Sequence, residues 1–232
     1  NESKAKFINN VYEDIILKKN SKLKNLFIQE NKSDGFFYKF SKSKISQNAD
    51  CSSLVFSSGL KFNKLDFECD LLEENSNCNI LSALFLKSNE HQEIKTLVNH
   101  LAPNCKSNQK IKNVLTAESK AVYQGKIYVK DIAQKTDAYQ LSKALLIDDN
   151  AEFNSKPELE IYADDVKCSH GSTTGQIDDD AIYYMRTRGI NQNDAKKLIL
   201  HSFLNDIIKQ VSIDNLKLDL NNKIDQYLNN VN

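Results

Sequence analysis

Apolar and polar side chains alternate along much of this chain. In the clearest stretch Leu65, Phe67, Cys69 and Leu71 share one parity, while Lys64, Asp66, Glu68 and Asp70 share the other. Successive strand side chains point to opposite faces, so one face is core and the other solvent. Cys69 falls on the core face and is expected to be inert. Further strands are expected over 7–17, 26–29, 35–40, 54–56, 60–72, 81–87 and 93–101. Residues 81–87 are apolar on both parities, as in a strand enclosed on both faces.

From residue 121 a loose repeat appears. Tyr123-Gln124, Tyr139-Gln140, Phe153-Asn154 and Cys168-Ser169 stand 16, 14 and 15 residues apart. The first three precede apolar strands at 127–129, 144–147 and 159–161. Repetition at such intervals predicts rungs or half-rungs of a solenoid, each leaving apolar surface bare until the next stacks on it. With six Gly and two Pro in the chain, the turns must rely on Asn, Asp and Ser.

After Ile177 the period becomes helical. Asp178, Asp179 and Asp180 favour a helix N-terminus, Ile182 and Met185 lie three apart, and Arg186 and Arg188 fall in the last turn. Gly189 is placed to close that helix. Asn191 is a candidate N-cap for a second helix through Ala195, Leu198, Ile199, Phe203, Ile207 and Val211. Ile213, Leu216, Leu220, Ile224, Tyr227 and Val231 suggest a last one. The reading divides the chain into a solenoid core, 1–177, and a helical segment, 178–232. The helices' apolar surface is expected to meet the solenoid end or a partner.

Lys+Arg and Asp+Glu both number 31, which argues against wholesale binding to nucleic acid or acidic membranes. No apolar run approaches the roughly 20 residues a membrane helix needs. The opening Asn-Glu-Ser-Lys-Ala-Lys does not read as a signal peptide and, lacking Met, suggests a fragment or processed chain. Cys51, Cys69, Cys78, Cys105 and Cys168 are odd in number and contain no Cys-x-x-Cys pair. Neither a disulfide framework nor a self-contained zinc site fits them, and a reducing compartment is the natural setting.

Cys168 and His170 are the leading candidates for chemistry, in a polar turn between the strand at 159–163 and the first helix. Two apart on extended chain, their side chains point the same way. Thiolate and neutral imidazole are good iron ligands, yet together they supply at most two. A core cysteine and a hydrogen-bonded histidine remain the alternative. His91 in a polar turn, His100 near a strand end and His201 on a helix are expected to be solvated or structural. Cys105 is placed in a loop, exposed and without a partner. Glu158, Glu160, Asp164 and Asp165 could imitate the carboxylates of a polysaccharide-cleaving β-helix. Glycoside hydrolysis needs carboxyls opposed across a bond, however, and Glu158 and Glu160 share one strand face. The chain has no G-x-x-x-x-G-K-[ST] or G-x-G-x-x-G loop and no nucleophile elbow.

Lys156-Pro-Glu-Leu-Glu-Ile-Tyr-Ala-Asp-Asp-Val-Lys-Cys-Ser-His-Gly171 and Tyr184-Met-Arg-Thr-Arg-Gly-Ile190 closely resemble the SufD family of iron–sulfur cluster assembly scaffolds. Gln134-Lys-Thr-Asp-Ala-Tyr-Gln140 and Asn99-His-Leu-Ala-Pro103 are similar to it as well, and a weaker likeness reaches back to about residue 7. The resemblance implies a right-handed parallel β-helix with a C-terminal helical segment, in a chain lacking the family's N-terminal helical region. It implies a non-catalytic subunit of a SufBCD complex in the bacterial cytoplasm or a plastid stroma. SufB would pair through the β-helix, or a second copy of this chain when it is alone. The SufC ATPase would dock on the helices near Tyr184, Arg186, Arg188 and Gly189. A transient iron–sulfur cluster would be built at the SufB interface, with His170 and, as a lesser candidate, Cys168 contributing. No nucleotide would bind this chain itself.

Overall fold

A computed structural model describes residues 6–30 and 33–229; the predicted helix position Val231 and residues 1–5 lie outside the described residues. The strands are β1 (Ile8–Leu17), β2 (Lys22–Gln29), β3 (Ser33–Ile45), β4 (Asp50–Ser57), β5 (Leu60–Leu71) and β6 (Asn77–Leu86). They continue as β7 (His91–His100), β8 (Lys106–Leu115), β9 (Lys120–Val129), β10 (Asp137–Leu146), β11 (Glu152–Ile161) and β12 (Lys167–Gly175). Odd strands pair in parallel as one sheet, β1-β3-β5-β7-β9-β11; even strands form the other, β12-β10-β8-β6-β4-β2. The chain thus winds a parallel β-solenoid of about six turns, with two strands per turn.

The expected half-rungs are these strands. Their faces are not a strict repeat, since Tyr139 points outward and is exposed whereas Tyr123 is fully buried. Corners fall where Asn can adopt left-handed backbone: Asn20, Asn48, Asn75, Asn89 and Asn104 all have positive φ. Their amides also stack the turns, as when the Asn20 N–H donates to the Gln47 carbonyl and the Asn104 N–H to that of Gln134, both at 2.9 Å. Several strands extend beyond their expected bounds, and β8 is an additional one.

The predicted core parity holds. Leu65, Phe67, Cys69 and Leu71 are buried between the sheets. Cys69 hydrogen-bonds Cys78, and this bond together with burial raises its thiol pKa. Polar groups also enter the interior. The Thr96 hydroxyl donates to Gln109 Oε1 at 2.5 Å and lies 3.1 Å from the Tyr123 hydroxyl, which donates to the same amide oxygen at 3.2 Å.

Three helices follow: α1 (Asp179–Thr187), α2 (Gln192–Ile208) and α3 (Asp214–Leu228). Asn191 caps α2 as predicted, its side-chain oxygen accepting from the Asp194 N–H at 2.9 Å. α2 and α3 do not cover the solenoid end. Leu200, Leu204, Ile207, Leu220 and Ile224 pack on Leu54, Phe56, Leu81, Phe85 and Val114, on the outer face of the even sheet. That cover explains why 81–87 is apolar on both parities. Ions fix it in place: Asp206 meets Lys110 at 2.5 Å and Lys112 at 2.8 Å, and Lys112 also donates to the Phe203 carbonyl at 2.9 Å. Glu30 holds Lys223 at 2.5 Å and Tyr227 at 3.0 Å. Among the described residues no helix is long and apolar enough to cross a membrane.

Candidate functional site

The residues expected in a polar turn are a strand. Lys167–Gly175 pairs with β10 in full register, setting Cys168 beside Ala138, His170 beside Gln140 and Ser172 beside Ser142. Backbone pairing overrides the weak strand propensity of this Ser/Thr/Gly-rich segment, because an open parallel edge is there to be extended. β12 is the last strand of its sheet and β11 the last of the other. Their inward faces therefore meet at an open end of the solenoid. Phe153, Ser155, Pro157 and Leu159 line one side, and Cys168, His170 and Ser172 the other. Ser142 joins the two edges, lying 2.8 Å from the Ser155 hydroxyl and donating to that of Ser172 at 3.0 Å. Pro157 suits an edge strand, where its missing N–H costs least.

His170 is exposed at this end and Cys168 is half-buried. Cys168 packs with Ala138, Ala163 and Leu159, and burial raises its thiol pKa, so it must lose a proton before it can ligate a metal. Among the described residues no group of three or more His, Cys, Asp or Glu could hold a metal ion. His170 and Cys168 thus lie on one inward face of an unpaired edge strand, with no third such group beside them among the described residues.

The other candidates fall elsewhere. His91 opens β7 rather than sitting in a turn, 3.1 Å from the Glu93 carboxylate. His100 is fully buried, with Nε2 2.9 Å from the Ser107 hydroxyl and Nδ1 3.4 Å from that of Thr136. His201 lies on α2, 3.6 Å from Asp225. Cys105 is not exposed and not alone: it is wholly buried, 3.2 Å from the Ser76 hydroxyl, because its turn stacks on the one before it. Glu158 is bound by Lys156 at 2.7 Å and Glu160 by Lys126. These bonds hold both carboxyls below the usual range, the reverse of what a general acid needs. Asp165 accepts from Lys135 through its backbone carbonyl at 2.6 Å, a corner contact between turns.

Three residues, 176–178, separate β12 from α1. Asp178 caps it, and its C-terminus closes on Gly189 at φ +87, where the Gly189 and Ile190 amides reach the Arg186 and Met185 carbonyls. Only Ile182 is buried; Tyr183 and Tyr184 are exposed. Arg188 donates to the Tyr184 hydroxyl at 3.0 Å and lies over its ring. Sequence reading met Gln140 only in the repeat and in the family-like run 134–140, and passed over Ser142. Their signal was the alternation Ala138, Gln140, Ser142, Ala144, which puts polar side chains on the inward face just below the edge.

Such a layout is that of a parallel β-solenoid module with an unpaired edge at its last turn. The family model for the SUF system FeS cluster assembly SufBD core domain matches residues 1–203, and the chain belongs to that family of iron–sulfur cluster assembly proteins. It is 41% identical to the iron-sulfur cluster assembly protein SufD of Escherichia coli over 155 residues, covering 67% of this chain and 37% of the relative. A SufBD family protein of Synechocystis is 28% identical over 211 residues, covering 91% and 47%. The chloroplastic protein ABCI7 of Arabidopsis thaliana is 27% identical over 200 residues, covering 85% and 42%. The chain therefore spans less than half the length of each of these relatives. The expected SufD likeness and the parallel solenoid are borne out.

Proposed function

We propose that this chain is a non-catalytic scaffold subunit of a SufBCD-type complex, with residues 1–177 as the pairing core and 178–232 as the docking segment. The observation that carries this reading is the exposure of His170 on the last, unpaired strand of an open solenoid end. A second β-solenoid subunit of SufB type continues both sheets across β11 and β12, as an open edge favours. That partner completes the donor set begun by His170, with Cys168 beside it, and the iron–sulfur cluster is transient cargo shared between the two. In the absence of SufB a second copy of this chain takes the same edge. The SufC ATPase docks on the exposed face of α1 through Tyr184, Arg186 and Arg188, held in place by the turn at Gly189. Nucleotide binding belongs to that partner. The complex works in a bacterial cytoplasm or a plastid stroma.

The test is anaerobic reconstitution of the three-protein complex with iron and sulfide. His170→Ala is expected to leave co-purification with SufB and SufC intact and to lower the cluster's visible absorbance several-fold. Full cluster yield in that variant would remove the ligand role and leave a purely structural scaffold.

A further inference from the structure

Gln140 lies directly beneath His170 in the sheet: the two are register partners on β10 and β12 and face the same interior. Gln140 is fully buried. Its side-chain Nε2 donates to the Gly125 carbonyl at 3.2 Å. A carbonyl can only accept, so the atom facing it must be the amide NH2, and the oxygen must point elsewhere. Gly125 is what admits this side chain, since a Cβ there would stand 2.3 Å from Gln140 Nε2. The oxygen left over, Oε1, is buried with no hydrogen-bond partner. A buried acceptor without a donor is unfavourable, and the fold recovers that cost where a donor is in reach.

Two donors flank it. Gln109 is the register partner on the β8 side, and its Nε2 is likewise buried and unpartnered. His170 is the partner on the open side. Adjacent strands are about 4.8 Å apart, so side-chain torsions alone bring an imidazole N–H to the amide oxygen. An amide oxygen has two lone pairs and can accept from both neighbours. We propose that Gln140 is the positioning residue for His170: its Oε1 accepts from one ring N–H of the imidazole, fixing the tautomer and turning the other ring nitrogen, lone pair free, toward the open end. This rests on the ligand reading of His170. Metal-ligating histidines commonly donate their second N–H to a carbonyl in this way.

The test uses this chain alone, without partners or metal, by nitrogen-15 NMR of the histidine rings, with His170→Ala identifying the His170 signals. Wild type should show a solvent-protected ring N–H for His170 with a cross-relaxation peak to the Gln140 side-chain NH2. Gln140→Met should fold with a similar melting temperature and lose that proton. Gln140→Glu, whose carboxylate oxygen can accept in place of the amide oxygen, should restore it. An unprotected His170 ring in wild type overturns the proposal without any variant. So does a protected His170 ring proton that persists unchanged in folded Gln140→Met. The outcome is separable from the ligand role: a neutral His170→Ala in cluster assembly would remove the function while leaving this bond in the spectrum.

Discussion

Acid should remove stability through His100, on β7 inside the solenoid. The imidazole is wholly buried, and burial pulls its pKa from 6.5 down to about 4. Its bonds suit the neutral ring. Thr136 gives its hydroxyl proton to the Ala133 carbonyl at 2.9 Å, so its oxygen can accept from Nδ1–H, while Ser107 donates to Nε2. A second ring proton would face the Ser107 hydroxyl and force it to turn away. Because the folded pKa lies below the unfolded one, the unfolded chain binds the extra proton between them. Stability is therefore complete above about pH 6.5 and declines as pH falls toward 4. The loss attached to this group is about 2 kcal/mol near pH 5 and about 3 kcal/mol once pH is below the folded value. Carboxylates titrate in the same range, so the quantity to measure is a difference. Urea unfolding of wild type and His100→Gln, run from pH 7.5 to 4, isolates the histidine, since the variant has nothing to titrate there. The stability advantage of wild type should shrink by about 2 kcal/mol between pH 7 and 5. A pH-independent difference would show that the ring is reached by water or charged in the fold, and would refute the reasoning.

Two further predictions concern packing. Asp206→Ala should cost about 2 kcal/mol in urea unfolding, because it leaves Lys112, which is 7% exposed, without its carboxylate; faster amide hydrogen exchange along α2 should accompany the loss. Gly125→Ala should lower stability by about 1–3 kcal/mol by thermal melt, since its Cβ would lie 2.3 Å from both Gln140 Nε2 and the Tyr123 hydroxyl. Gly171→Ala, whose Cβ would meet only a Leu141 methyl at 3.2 Å, is the matched control and should change little.

Alternation was legible where one face is core and the other water, as in β5. It failed where both faces carry polar groups. β8 went unread because its outward Lys110 and Lys112 serve Asp206, while its inward Gln109 serves Thr96 and Tyr123. A strand whose polar residues all have partners in other elements looks like a loop from sequence. The same blindness made 167–175 a turn: Ser and Gly outnumber its two Thr and carry no strand signal, and the waiting edge of β10 makes the segment a strand. Helix faces were readable from their period, but not their destination, because the apolar outer face of the even sheet shows only as a second parity in short strands. His170 and Cys168 stood out because two residues apart is the spacing that strand geometry turns into one face. Gln140 did not, since a glutamine among alternating small residues looks solvated until its neighbours are known.

The register also ties the two ends of the proposed machinery together. Lys110, which binds Asp206 of α2, is the register partner of Leu141, and Leu141 is the partner of Gly171, next to His170. Two strand spacings, about 10 Å, thus separate the helix anchor from the edge that carries the imidazole. In a parallel ladder successive residues bond alternately to the two neighbouring strands, so β10 is tied to both β8 and β12. α1 reaches the same edge by a shorter path, through Gln176 and Ile177, and Ile177 packs into the cluster that holds α2 and α3. The helices are therefore joined to β12 by two routes, through β8 and β10 and through the segment 176–178. If a partner moves the helices, the inward face of the last rung moves with them; if Asp206 is removed, the route through β8 is weakened while the one through Ile177 remains.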